Sequence, residues 1–110
     1  MRNTRVTLRY AKSLLDLAIE QNQLDACKAD MEAVLAVCKD SKDLSLLLKS
    51  PVVKTDKKVA ILNKVFASFG SLSKSFINII TSKKREMLLE EIAERFLSVY
   101  KQHKGIESAL

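Results

Sequence analysis

Arg9-Tyr10-Ala11-Lys12-Ser13-Leu14-Leu15-Asp16-Leu17-Ala18 is the stretch from which the rest of the chain is read. Tyr10, Leu14, Leu17 and Ala18 recur at i, i+4, i+7 and i+8, and Val6 precedes them by four residues. That spacing puts them on one face of a helix. The tyrosine sits among small and basic neighbours. A first helix of this kind serves as a core element and still leaves a shallow, partly apolar strip for a partner.

The remaining composition agrees with a helical reading. At 110 residues the chain has the size of one domain, and 47% of it is hydrophobic, so it sustains a core without staples. Only 2 glycines and 1 proline are present, which argues against a β-rich fold with its frequent turns. Abundant Leu, Ala, Lys, Glu and Ser point to an all-α protein. No apolar run reaches the roughly 18 residues needed to span a bilayer. Met1-Arg2-Asn3-Thr4-Arg5 lacks the apolar segment of a signal peptide. The expectation is a cytosolic chain, or one peripheral to something larger, with no direct membrane insertion.

Six helices are expected, forming a six-helix bundle. The first runs from Thr4, a candidate N-cap, to Glu20, and Gln21-Asn22-Gln23 breaks it. The second runs from Leu24 to Lys39, with Leu24, Cys27, Met31, Val34, Leu35 and Cys38 on one face. Ser41 is the candidate cap of a short third helix holding Leu44, Leu46, Leu47 and Leu48, and Ser50-Pro51 ends it. Thr55 or Asp56 caps a fourth helix carrying Val59, Ile61, Leu62, Val65 and Phe66. Gly70 reads as its stop and Ser71 as the cap of a fifth, which holds Leu72, Phe76, Ile77, Ile79 and Ile80 and stops near Thr81-Ser82-Lys83. The sixth carries Met87, Leu88, Ile92, Phe96, Leu97, Val99 and Tyr100. Glu86, Glu90 and Glu91 lie in its first turns, where acids complement the helix dipole, and Gly105 reads as its end.

The cysteines, Cys27 and Cys38, sit eleven residues apart. On one intact helix that is about 16 Å along the axis. A disulfide needs Cα atoms within about 7 Å. Buried, reduced thiols are therefore expected, in keeping with a reducing compartment.

The net charge of +6 raises the alternative of a basic helical nucleic-acid-binding module. The bases are nonetheless interleaved with acids, apart from Lys54-Thr55-Asp56-Lys57-Lys58 and Lys83-Lys84-Arg85, which read as solvated helix ends. No aromatic residue interleaves with them to stack on bases, so no nucleic acid is expected. His103 is the only histidine and reads as solvated, among lysines and with no ligand at metal spacing. Glu90, Glu91 and Glu94 read as the wet face of the sixth helix. No phosphate-binding glycine loop is present. The chain is expected to be no enzyme and to carry no cofactor and no metal.

Taken in order, several positions resemble the N-terminal domain of the ATP synthase delta subunit family, known in mitochondria as the oligomycin sensitivity-conferring protein. The family pattern opens with an Arg-x-Tyr-Ala-x-Ala-Leu-like helix, matched by Arg9 to Ala18 with the arginine directly before the tyrosine. Leu48-Lys49-Ser50-Pro51-Val52-Val53 follows, with Lys57 or Lys58 opening the next helix. Phe76-Ile77-Asn78-Ile79-Ile80 then leads to Arg85, Leu89, Ile92 and Phe96, and Tyr100 precedes Gly105-Ile106. The family carries Asn-Gly or a similar small pair before the arginine, where this chain has Lys83-Lys84. A change in the turn and its charge is expected there, with the fold retained.

The resemblance implies a six-helix bundle atop the catalytic head of a bacterial-type F-type ATP synthase. There it acts as a peripheral-stalk, or stator, component at the cytoplasmic face of the cell inner membrane. It supports proton-driven ATP synthesis without catalysis of its own. Family members carry a second, C-terminal domain, so residues 1–104 read as the N-terminal helical bundle and 105–110 as the start of a linker to a missing domain. The first and fifth helices are implied to receive the amphipathic N-terminal helix of an alpha subunit, and the missing domain to meet the b subunit. The partner-binding residues so assigned are Tyr10, Ser13, Leu14 and Leu17 on the first helix and Phe76, Ile79, Ile80 and Lys83 on the fifth. Leu14 and Ile80 lean towards the core; Tyr10, Ser13 and Ile79 lean towards the groove. A monomer is expected for the excised domain.

Overall fold

The computed structural model describes residues 4–108, and the side chains of residues 5–105. All elements among the described residues are helical: α1 (Thr4–Glu20), α2 (Leu24–Asp40), α3 (Lys42–Lys49), α4 (Thr55–Val65), α5 (Ser71–Ser82), a 3-10 turn (Glu86–Leu88) and α6 (Leu89–Ser108). The all-α, six-helix expectation holds. The long helix α6 is the spine of the bundle, with α1 and α2 packed along it. Helix α5 packs on α4, and α3 bridges α2 and the 3-10 turn.

The core forms where the apolar faces of these helices converge. Leu14, Met31, Val34, Leu62, Ile80, Leu89, Ile92 and Phe96 are fully buried. Burial of each large side chain stabilises the fold by about 1.5–3 kcal/mol before the entropy of ordering is counted. A polar contact crosses the α1–α6 seam: Thr7 Oγ1 donates to Glu91 Oε2 at 2.8 Å. Glu91 is thus a structural acceptor, in addition to its place at the helix N-terminus.

Ser41 caps α3 as expected, its Oγ accepting the Leu44 N–H at 3.3 Å. Other boundaries differ from the expectation. Lys54 occupies the N-cap of α4 without a side-chain bond, and Asp56 accepts only the adjacent Lys57 N–H at 2.9 Å. Thr4 is the first residue of α1, and its capping side chain lies outside the described residues. Helix α4 ends at Val65, well short of Gly70. There Phe66 and Phe69 stack at 4.6 Å with both rings buried, which turns the chain before another helical turn forms. Gly70, at φ −65°, is the N-cap of α5 and donates its N–H to Asp30 Oδ2 at 3.2 Å. Ser71 is the first helical residue and not a cap.

The helix stops that work here use neither glycine. At the end of α1, the Gln23 N–H bonds the Ala18 carbonyl and the Asn22 N–H bonds the Ile19 carbonyl. At the end of α5, the Arg85 N–H bonds the Ile80 carbonyl and the Lys84 N–H bonds the Thr81 carbonyl. Both are Schellman motifs, and each needs one left-handed residue. Asn22 (φ 56°) and Lys84 (φ 61°) supply it. Asparagine tolerates this region, whereas lysine is strained there by about 1–2 kcal/mol. Gly105 does not end α6, which continues to Ser108. Without a left-handed backbone a glycine is only a weak helix former, about 1 kcal/mol poorer than alanine. Residues 105–108 are thus helical, and residues 109–110 lie outside the described part.

Lys58, read as part of a solvated helix end, is buried, and so is Glu86. Lys58 is 3% exposed and Glu86 5%. Their side chains form an ion pair, and Lys58 Nζ also donates to the Ser50 carbonyl at 2.6 Å. One contact set thus ties the α3–α4 loop, α4 and the 3-10 turn together. Leu46 on α3 is exposed rather than packed, and His103 is half-buried rather than solvated. Both cysteines are free and buried. Burial pushes the Cys38 thiol up to about 11, reinforced by the nearby Glu90 carboxylate, and burial raises Cys27 as well.

Three outcomes follow from these packings. Lys58→Met, which strands the Glu86 carboxylate in the interior, is expected to cost about 3–5 kcal/mol in urea unfolding. Lys84→Gly relieves a left-handed lysine, and Gly105→Ala adds a methyl group where nothing lies within 4 Å. Each is expected to raise stability by about 0.5–1 kcal/mol, read as an upward shift in melting temperature. Both thiols are expected to resist a thiol-specific reagent at neutral pH in the folded protein and to react fully in denaturant.

Candidate functional site

The faces of α1 and α5 differ from the rest of the surface in how they end at the core. On α1, Thr7, Ala11, Leu14 and Ala18 point inward and are fully buried. Val6, Tyr10, Ser13 and Leu17 fall on a strip roughly a quarter-turn away, given about 100° per residue. Along it Val6 and Tyr10 are half-buried, Ser13 is exposed and Leu17 is 41% exposed. On α5, Ser73, Ile77, Ile80 and Thr81 point inward. Leu72, Phe76, Ile79 and Lys83 form the flanking strip, with Ile79 52% exposed.

The two strips meet at an aromatic contact. Tyr10 and Phe76 pack edge to face with ring centroids 6.4 Å apart and planes at 75°. Such a pair contributes about 0.5–1.5 kcal/mol beyond its buried area. Arg85 closes the other side of the tyrosine. Its guanidinium carbon lies 5.7 Å from the ring centroid, and its Nη1 donates to Tyr10 Oη at 2.6 Å. Tyr10 is therefore fixed between an aromatic edge on α5 and a cation just beyond α5. The left-handed Lys84 delivers that cation, because the Schellman turn reverses the chain directly before Arg85.

Of the eight side chains expected to bind a partner, the structure leaves Tyr10, Ser13, Leu17, Ile79 and Lys83 at the surface. Leu14 and Ile80 are fully buried, so they support the face from beneath and present nothing to solvent. Phe76 is almost buried and contributes chiefly by holding Tyr10. The residue that sequence reasoning missed is Arg85. Its signal was present in the arginine that follows Lys83-Lys84. Its contact with Tyr10 spans 75 positions and had no local signature.

This face has no side-chain arrangement suited to bond-making chemistry. No group of three or more His, Cys, Asp or Glu residues suited to a metal occurs among the described residues. No described helix is long and apolar enough to cross a membrane. The face offers exposed apolar side chains, Leu17 and Ile79, with Lys83 and Arg85 at its margin.

Comparison with known proteins places the whole chain in one family. The family model described as "ATP synthase delta (OSCP) subunit" matches residues 6–110. ATP synthase subunit delta of Cytophaga hutchinsonii is 40% identical over 108 residues, a stretch covering 97% of this chain and 59% of that protein. The chloroplastic ATP synthase delta chain of Chlamydomonas reinhardtii is 39% identical over 103 residues, covering 92% of this chain and 47% of that one. A chain in the cryo-EM structure of the Toxoplasma gondii mitochondrial ATP synthase hexamer superposes with a TM-score of 0.77 at 29% identity, covering 82% of this chain and 51% of its own length. The chain thus spans about half to three-fifths of the length of these relatives. With the family pattern running over nearly all of its residues, the chain belongs to the ATP synthase delta (OSCP) subunit family.

Proposed function

We propose that this chain is the head-docking domain of a stator subunit of a proton-translocating F-type ATP synthase. In this reading it holds the catalytic head through the α1–α5 face and performs no catalysis. The occupant of the face is the amphipathic N-terminal helix of an alpha subunit. The remaining length seen in the relatives supplies a further domain that meets the b subunit. The assembly sits peripherally at the cytoplasmic face of the inner membrane, with this chain away from the bilayer.

The observation that carries the reading is the fixed Tyr10 flanked by exposed Leu17 and Ile79. A stator resists torque, so its contact must not reorganise under load. Locking Tyr10 before a partner arrives reduces the ordering cost of binding, about 0.5–1.5 kcal/mol per rotamer-rich side chain. Leu17 and Ile79 supply exposed apolar area, one from each helix, for the apolar face of an amphipathic helix. Ser13 is small and exposed, which permits close approach of a second helix along α1.

The test is a titration of the isotope-labelled chain with a synthetic peptide of about 20 residues, the length of a 30 Å helix, from the alpha-subunit N-terminus. NMR shift changes are expected at Tyr10, Ser13, Leu17, Ile79 and Lys83, with the peptide becoming helical. Ile79→Asp, at a half-exposed position, is expected to leave the fold intact and weaken binding by about tenfold or more, or about 1.4 kcal/mol. Absence of shifts on α1 and α5 at high micromolar peptide overturns the reading.

A further inference from the structure

The two basic runs that the sequence keeps apart come together in the fold. Lys54 and Lys58 from one, and Lys84 from the other, line a single recess of about 380 Å³ with Lys49 at its edge. Pro51, Val52, Val53 and Met87 form its apolar part. Val52 is 86% exposed and Met87 51%, which makes Val52 the most exposed large apolar side chain among the described residues. A neighbouring recess of about 620 Å³ shares Val52, Val53 and Lys54 and adds Asp56, Lys57 and Ala60. The surface is thus a continuous apolar strip with lysines around it.

The exposed valine stands on a pinned segment. Lys58 Nζ grips the Ser50 carbonyl from inside the protein while paired with Glu86, the residue directly before Met87. Ser50 Oγ accepts the Val52 N–H at 3.3 Å. Both apolar halves of the recess, loop and 3-10 turn, are therefore attached to one buried ion pair. Exposed apolar groups held at fixed positions mark contact surfaces, because their ordering has been completed before binding.

From this we infer that the recess is a second docking surface, distinct from the α1–α5 face, for an acidic peptide segment that inserts small apolar side chains. Charge selects the class of occupant: Lys49, Lys54, Lys57 and Lys84 are exposed around the apolar centre, with Asp56 the single exposed acid among the lining residues. Such a rim speeds association with an acidic partner and penalises a basic one. Shape and composition favour a peptide over other polyanions. A nucleic acid is held by a continuous cationic track with aromatic platforms, and no aromatic side chain lines either recess. A lipid surface is met by interfacial aromatics, which are equally absent from the lining. A concave site with apolar walls fits inserted side chains.

The experiment uses the whole chain. Three fluorescein-labelled peptides of about 15 residues, equal in apolar content and with net charges near −5, 0 and +5, are titrated at about 0.1 M salt, where the screening length is about 10 Å. Phosphatidylserine vesicles and a DNA duplex of about 20 base pairs form parallel arms. The anionic peptide is expected to bind at least about tenfold tighter than the neutral one. The Val52→Ser, Lys54→Glu double variant alters only exposed side chains, so it keeps its helical circular dichroism and is expected to lose at least about tenfold in affinity. Ile79→Asp is expected to bind the anionic peptide as the unaltered chain does, which separates this surface from the α1–α5 face. Equal binding of all three peptides, retained affinity in the double variant, loss in Ile79→Asp, or tighter binding of vesicles or duplex each overturns the proposal.

Discussion

Everything in this fold depends on burying α6 on more than one side. Leu89, Ile92, Ala93 and Phe96 span an arc of about 100° on α6 and are all fully buried. Both α1 and α2 pack along α6, and these are the most extensive helix packings in the fold. Small residues are placed where α1 turns inward, with Ala11 and Ala18 fully buried. Once α1 is committed to α6 by that face, its Tyr10–Leu17 strip has no place inside. The proposed docking strip is thus a by-product of core geometry: it lies too far round the helix to be covered by α6 and too close to the core to be wholly polar.

Much of this was legible in the sequence because helical periodicity is a local signal. The apolar spacing placed all six helices, and the Ser41 cap was readable from its position. What failed were the glycine stops. A Schellman turn requires a left-handed residue and not glycine as such, and here Asn22 and Lys84 took that conformation while Gly70 and Gly105 did not. The phenylalanine stack that ended α4 early had no periodic signature either. For the site, spacing showed which residues share a helix face but could not divide the face between core and strip. Leu14 lies only about 40° from Tyr10 on a helical wheel, yet one is fully buried and the other half-exposed. That division depends on where α5 and α6 lie. The Lys58–Glu86 pair was illegible for a related reason: 28 positions separate its members, and each alone reads as a solvated charge.

The segment from Lys83 to Glu86 connects the two surfaces mechanically. At its start Lys83 ends the α5 strip. Lys84 lines the recess. Arg85 returns to the other side and holds Tyr10. Glu86 then anchors the recess from within through Lys58. A regular helix would place successive side chains about 100° apart and send them progressively around one axis. The left-handed residue breaks that progression, so consecutive residues reach two faces across a single reversal. A lysine at this left-handed position is strained, but it places a cation on the recess that a glycine would not provide. The same turn therefore sets the position of the tyrosine on one face and the charge of the other.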